Sequence, residues 1–147
     1  MGPLPARGRP SPGRLKRLLP LLLDTTVLID VLRGRPAASR MLNLRRGGQV
    51  PWICAISVEE VWRGLRPQEE EAAGGLLNAL RLAALGQYEG RRAGTWRRQF
   101  AEDGTTLSQA DCLIAAAAVS IGVPLATGNP KHFPMAELEV EHWPVGG

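Results

Sequence analysis

The sequence is poor in the features that mark the simpler protein classes. It has two cysteines in 147 residues, Cys54 and Cys112, each in an apolar stretch and with no CxxC. Two such thiols make no disulfide framework and no zinc-finger pattern. Both are expected to be buried and reduced, which fits a cytoplasmic protein. No apolar run reaches the ~18 residues a membrane span needs, so no membrane association is expected. The longest run, Leu113 to Val119, reads as one buried helix. Leu18 to Leu23 follows basic residues as a secretion signal would, but no small-residue cleavage site follows and Asp24 interrupts it. A buried strand explains it better. Internal repeats are absent.

Charge of one sign is also scarcer than the total suggests. The net charge is +4, yet Arg7, Arg9, Arg14, Lys16 and Arg17 stand in the first 17 residues with no acid among them. The remainder holds 13 basic and 14 acidic residues, about −1 in all. The excess charge therefore belongs to a Pro-, Gly- and Arg-rich stretch, expected to be a flexible tail over residues 1–17. The folded domain is expected over 18–147. The Arg pairs Arg45/Arg46, Arg91/Arg92 and Arg97/Arg98 suit solvated helix faces, partner contacts or phosphate contacts.

What is present is an alternation of short apolar runs with helical patterns. Strands are expected at Leu21–Leu23, Val50–Ile56, Leu82–Leu85, Val123–Ala126 and Glu139–His142. Helices are expected at Thr25–Arg33, Pro36–Arg46, Ser57–Leu65, Glu69–Leu80, Tyr88–Glu102 and Ser108–Ile121, most of them stopped by Gly or Pro. Apolar content of 44% is that of an ordinary globule. The fold class is α/β, a three-layer sandwich with a mostly parallel central sheet flanked by helices.

Acids and their allies fall at equivalent places. Asp24 follows a strand and opens a helix. Glu60 and Asp111 are expected in first helical turns, and Asn129 follows a strand. In parallel α/β sheets ligands bind beyond the carboxyl ends of strands. Two carboxylates ~4 Å apart repel by roughly 4 kcal/mol at an effective dielectric of 20. A divalent cation removes that cost, and oxygen-only ligands suit Mg²⁺ or Mn²⁺ rather than Zn²⁺. Plain capping accounts for the same residues: Ser57-Val58-Glu59-Glu60 and Ser108-Gln109-Ala110-Asp111 have capping-box form, and Asp24 suits an N-cap. Spacing alone leaves both accounts open.

The wider motifs decide between them by resemblance. Leu21-Leu22-Leu23-Asp24-Thr25-Thr26-Val27-Leu28-Ile29 resembles the opening motif of the PIN domain, and within it the bacterial VapC toxins. Ile56-Ser57-Val58-Glu59-Glu60-Val61-Trp62-Arg63-Gly64 is similar to the second motif, whose Glu stands four residues before a Gly; this selects Glu60 over Glu59. Leu107 to Ala118 resembles the third, an Asp followed by an Ile-Ala-Ala helix. Pro124 to Phe133 resembles the fourth, with Asn129 where many members have Asp. The resemblance runs over about residues 20–145. It implies a Mg²⁺-dependent endoribonuclease (Mn²⁺ as a substitute) that hydrolyses RNA phosphodiester bonds with metal-activated water. Asp24, Glu60 and Asp111 would be catalytic and metal-holding, with Thr25, Thr127 and Asn129 in support. It also implies a toxin of a toxin–antitoxin pair, a homodimer neutralised by a VapB-type antitoxin. A silent PIN-like module would have lost an acid, and a haloacid-dehalogenase-type phosphatase needs Asp where Thr26 stands. Asp30 and Asp103 read as structural, and His132 as a loop residue. Trp52 and Trp96 read as core, with base stacking the lesser alternative for Trp96; Trp62 suits core packing or an antitoxin groove equally.

Overall fold

A computed structural model describes residues 20–146. The expected tail over 1–17 lies outside the described residues. Five strands, β1 (Leu22–Leu23), β2 (Trp52–Cys54), β3 (Arg81–Ala83), β4 (Leu125–Thr127) and β5 (Val140–His142), form one sheet in the order β3-β2-β1-β4-β5. Every pairing is parallel. Six helices connect them: α1 (Thr25–Leu32), α2 (Pro36–Arg46), α3 (Ala55–Arg63), α4 (Glu70–Asn78), α5 (Gln87–Glu102) and α6 (Gln109–Ile121). The expected α/β sandwich with helices on a parallel sheet is the observed architecture.

Strand alternation builds the two outer layers. Successive side chains on a strand point to opposite faces. Leu22, Cys54, Ala83 and Leu125 pack on one side with the alanines of α6 and Trp96 of α5. Leu21, Leu23, Ile53 and Ala126 pack on the other with Val27 and Leu28 of α1, Val61 of α3 and Leu77 of α4. Four successive alanines, Ala115 to Ala118, are fully buried, which lets α6 lie close to the sheet.

Several boundaries differ from expectation for local reasons. The second strand is shorter than Val50–Ile56, because Cys54 takes extended N-cap geometry and the helix begins at Ala55. Ser57 therefore lies inside α3 rather than capping it, and Glu60 stands in the second turn, not the first. The proposed capping box at Ser57 does not form. Pro67 opens a short 3₁₀ turn, Pro67–Glu69, before α4. Thr127, expected just past its strand, is the last residue of β4 and fully buried. Gly122 ends α6 at φ 79°, a left-handed conformation that favours glycine.

The chain runs outward from β1 through β2 to β3, then returns to place β4 on the other side of β1. The order thus reverses between β1 and β4. Ligands in open parallel sheets bind in the crevice at such a reversal, beyond the carboxyl ends of the strands. Asp24 and Thr127 stand at that point.

Candidate active site

Asp24 caps α1 and is 4% exposed. Its Oδ1 accepts the Thr25 N–H at 2.8 Å. Its Oδ2 accepts two hydroxyls, Thr127 Oγ1 at 2.7 Å and Thr26 Oγ1 at 3.0 Å. The threonines are held in turn: Gly128 N–H donates to Thr26 Oγ1 at 3.1 Å, and Asn129 N–H to Thr127 Oγ1 at 3.0 Å. A Cβ at residue 128 would stand 2.5 Å from Val145 Cγ2 and 3.3 Å from Thr26 Oγ1, so glycine serves here by close approach. Burial pushes the Asp24 carboxyl above its ordinary range; the Thr127, Thr26 and Thr25 hydrogen bonds oppose this, and the Asp111 charge adds to it.

Glu60 is brought in by a hydroxyl pair. Thr25 Oγ1 lies 2.8 Å from Glu60 Oε1 and 2.9 Å from Ser57 Oγ. A carboxylate only accepts and Thr25 has one hydroxyl hydrogen, so Thr25 donates to Glu60 and Ser57 supplies the hydrogen of the second bond. Ser57 is fully buried. It precedes Glu60 by three residues, a spacing that puts both on one helix face.

Asp111 lies in the first turn of α6, where Ser108 caps the helix by accepting the Asp111 N–H at 3.0 Å. Here the expected cap is present. Asp111 Oδ2 also lies 3.5 Å from His132 Nδ1. A pocket of about 260 Å³ opens beside it, lined in part by Thr105, Ser108, Lys131 and His132.

The structure thus ties Asp24, Thr25, Thr26, Glu60 and Thr127 into one network, and the Asp111 charge adds the smallest upward push on the Asp24 carboxyl. Asn129 enters through its backbone N–H, and its side chain is exposed. Thr26, Ser57 and His132 join the site beyond the residues expected from the sequence; for Ser57 the three-residue spacing to Glu60 is the signal. Trp96 is a core residue, 4% exposed, and Trp62 is on the surface at 46%. Trp52 is half-buried. Asp30 is buried, with Oδ2 accepting the Ala37 N–H and Oδ1 the Gly146 N–H, both at 2.8 Å. Asp103 caps the end of α5.

The donor set is all oxygen. Among the described residues, no group of three or more His, Cys, Asp or Glu side chains is placed to hold a metal ion by itself. Mg²⁺ keeps several waters and needs only one or two carboxylates from the protein. Asp24, whose Oδ1 accepts a single hydrogen bond, offers a carboxylate of that kind, whereas a closed four-ligand zinc site does not fit.

The PIN domain family model matches residues 21–137, which takes in all three acids and the strand-order reversal. The chain belongs to the PIN domain family. Two relatives from Mycobacterium tuberculosis resemble it over most of its length. The protein named Ribonuclease VapC10 is 36% identical over 118 residues, 80% of this chain and 88% of that protein. The protein named Ribonuclease VapC19 is 31% identical over 115 residues, 78% and 92%. Among solved structures, VapBC2 from Rickettsia felis, bound to a promoter DNA fragment, superposes with TM-score 0.75 at 19% identity, covering 85% of this chain and 99% of that one. VapBC from Salmonella typhimurium, also DNA-bound, gives 0.73 at 24% identity, covering 85% and 98%. These likenesses concern the fold. Among the described residues, no helix is long and apolar enough to cross a membrane.

Proposed function

We propose that the chain is a Mg²⁺-dependent endoribonuclease and the toxin of a VapBC-type toxin–antitoxin module. The observation that carries this reading is the network at the strand-order reversal, where buried Asp24 is joined to Glu60 through Thr25 and pressed by Asp111. Asp24 and Asp111 are the groups that would hold Mg²⁺, with Glu60 binding directly or through water. A bound Mg²⁺, or Mn²⁺ in its place, supplies a Lewis acid that favours attack on a phosphodiester and offsets charge developing on its oxygens. Thr127 and Thr26 hold Asp24 in one rotamer. Thr25, backed by Ser57, aims Glu60, which is placed to orient the attacking water and accept its proton. The relatives named ribonucleases support the substrate class. The VapBC complexes among the structural neighbours support a VapB-type antitoxin as partner. A homodimer is the proposed assembly.

Total RNA incubated with the purified chain and Mg²⁺ should be cleaved, and EDTA or Asp24→Ala should each abolish cleavage. Cleavage that survives both would overturn the metal mechanism. A folded chain that cleaves no RNA under Mg²⁺ would overturn the nuclease reading altogether.

A further inference from the structure

A second cavity, about 510 Å³, opens on α5 apart from the acids. Tyr88, Arg91, Arg92, Thr95 and Gln99 line it, at spacings of three and four that place them on one helix stripe. Arg92 lies 5.3 Å from the Tyr88 ring centre and 5.6 Å from that of Trp96, and its Nη2 donates to the Tyr88 hydroxyl at 2.7 Å. Its buried Nε has no acceptor. Arg91 is exposed, and among the described residues no carboxylate lies in ion-pair range of either arginine. The nearby acids are engaged elsewhere. Glu137 accepts the Trp96 indole N–H at 2.5 Å, and Glu89 accepts the Gly86 N–H at 2.7 Å and the Ser120 hydroxyl at 2.6 Å. Tyr88 remains 56% exposed. Two arginines and an open aromatic ring, against Glu137 as the single carboxylate in the lining, complement a polyanion that carries flat rings.

The chain links this cavity to the acidic pocket. Lys131 and His132 line the pocket beside Asp111, and Glu137 lines the cavity on α5. The six residue steps from Lys131 to Glu137 span at most about 20–22 Å. With one phosphate per ~3.4 Å or more of strand, roughly six nucleotides or fewer bridge the two. We infer that the Tyr88–Arg91–Arg92 face of α5 is a second contact for single-stranded RNA, holding phosphates on the arginines and a base on Tyr88 while the adjoining stretch lies at the acids. This rests on the ribonuclease reading and adds to it a site outside the catalytic pocket.

Binding of a fluorescein-labelled, unstructured RNA of about 30 nucleotides is measured by anisotropy in EDTA, for the full chain, Arg91→Glu, Arg91→Glu/Arg92→Gln and Tyr88→Ala. Cleavage of that RNA and of a dinucleotide, too short to bridge the two sites, is measured with Mg²⁺. The double variant should bind about tenfold more weakly, with a salt slope smaller by about 2. Tyr88→Ala should lose about fivefold or more with the slope unchanged. Cleavage of the short RNA should stay at the parent rate while that of the long RNA falls. Unchanged affinity and salt slope in all variants, beside a parent that binds and cleaves RNA, would overturn this inference alone. So would variants that alter only the oligomeric state in size-exclusion chromatography, which would make the face a contact between copies. A parent that neither binds nor cleaves RNA would overturn the ribonuclease reading as well. The exposed single change Arg91→Glu guards against misfolding: it should keep the parent melting temperature and still weaken long-RNA binding.

Discussion

At the scale of single residues, Asp24 works against the fold it belongs to. Its carboxyl is pushed up by burial, so between its ordinary value of 3.8 and its raised folded value the native state binds more protons than the unfolded one. Stability from this group therefore falls as pH rises through that window, and the ionised form carries the full cost above it. Asp24→Asn should remove the cost. The melting-temperature difference, variant minus parent, should grow more positive from about pH 4 to pH 7, and added Mg²⁺ should stabilise the parent alone. RNA cleavage by the variant should fall by at least about a hundredfold. A melting-temperature difference that stays constant or shrinks from about pH 4 to pH 7 without metal would contradict the burial argument. The thiols give a second residue-level expectation. Burial pushes Cys112 up to about 11 and Cys54 above its ordinary value, so both are protonated at neutral pH. Iodoacetamide at pH 7.5 should leave the native chain unlabelled, with two adducts by mass spectrometry only in denaturant.

At the scale of elements, the helix starts carry the site, yet they do so by different means. Ser108 caps α6 and in doing so fixes the N–H of Asp111. Ser108→Ala should cost about 1 kcal/mol, read as a lower urea midpoint with the slope unchanged. It should also lower cleavage activity, because Asp111 loses its anchored first turn. Ser57 looks equivalent in sequence, but its hydroxyl is turned toward Thr25. Ser57→Ala should therefore leave helix content unchanged by circular dichroism and lower kcat more than it raises KM, since it loosens the carboxylate of Glu60 without touching substrate. Two Ser-x-x-acid patterns thus serve two ends, one capping a helix and one aiming a side chain.

At the scale of the whole molecule, the parallel sheet gathers strand ends on one side, and the return from β3 to β4 opens a crevice there. Asp30 fastens the far end of α1. It ties α1 to the start of α2 and to the backbone at Gly146, near the end of the chain. Asp30→Ala would leave the buried Ala37 N–H without an acceptor and lose a second charge-assisted bond, at a cost of about 3 kcal/mol. Hydrogen exchange should then rise at Ala37 and in the last residues before it rises in β1. Unchanged protection at both places would count against Asp30 as the fastening.

The element order and the α/β class were legible in the sequence, as were Asp24 and Asp111 at the starts of their helices. Apolar alternation and Gly or Pro stops are local properties, and the four motifs lie in contiguous stretches. The sequence located the start of α3 less well, because the choice between capping α3 and bonding Thr25 depends on a residue 32 positions away from Ser57. Only the tertiary structure decided that Thr127 reaches Asp24 across 103 residues, that His132 stands against Asp111, and that Arg92 is stacked between two rings. Such contacts form when β1 and β4 become neighbours and when the segment before β5 folds onto α5. No local pattern encodes that neighbourhood, which is set by which packing of the two sheet faces buries the most apolar surface.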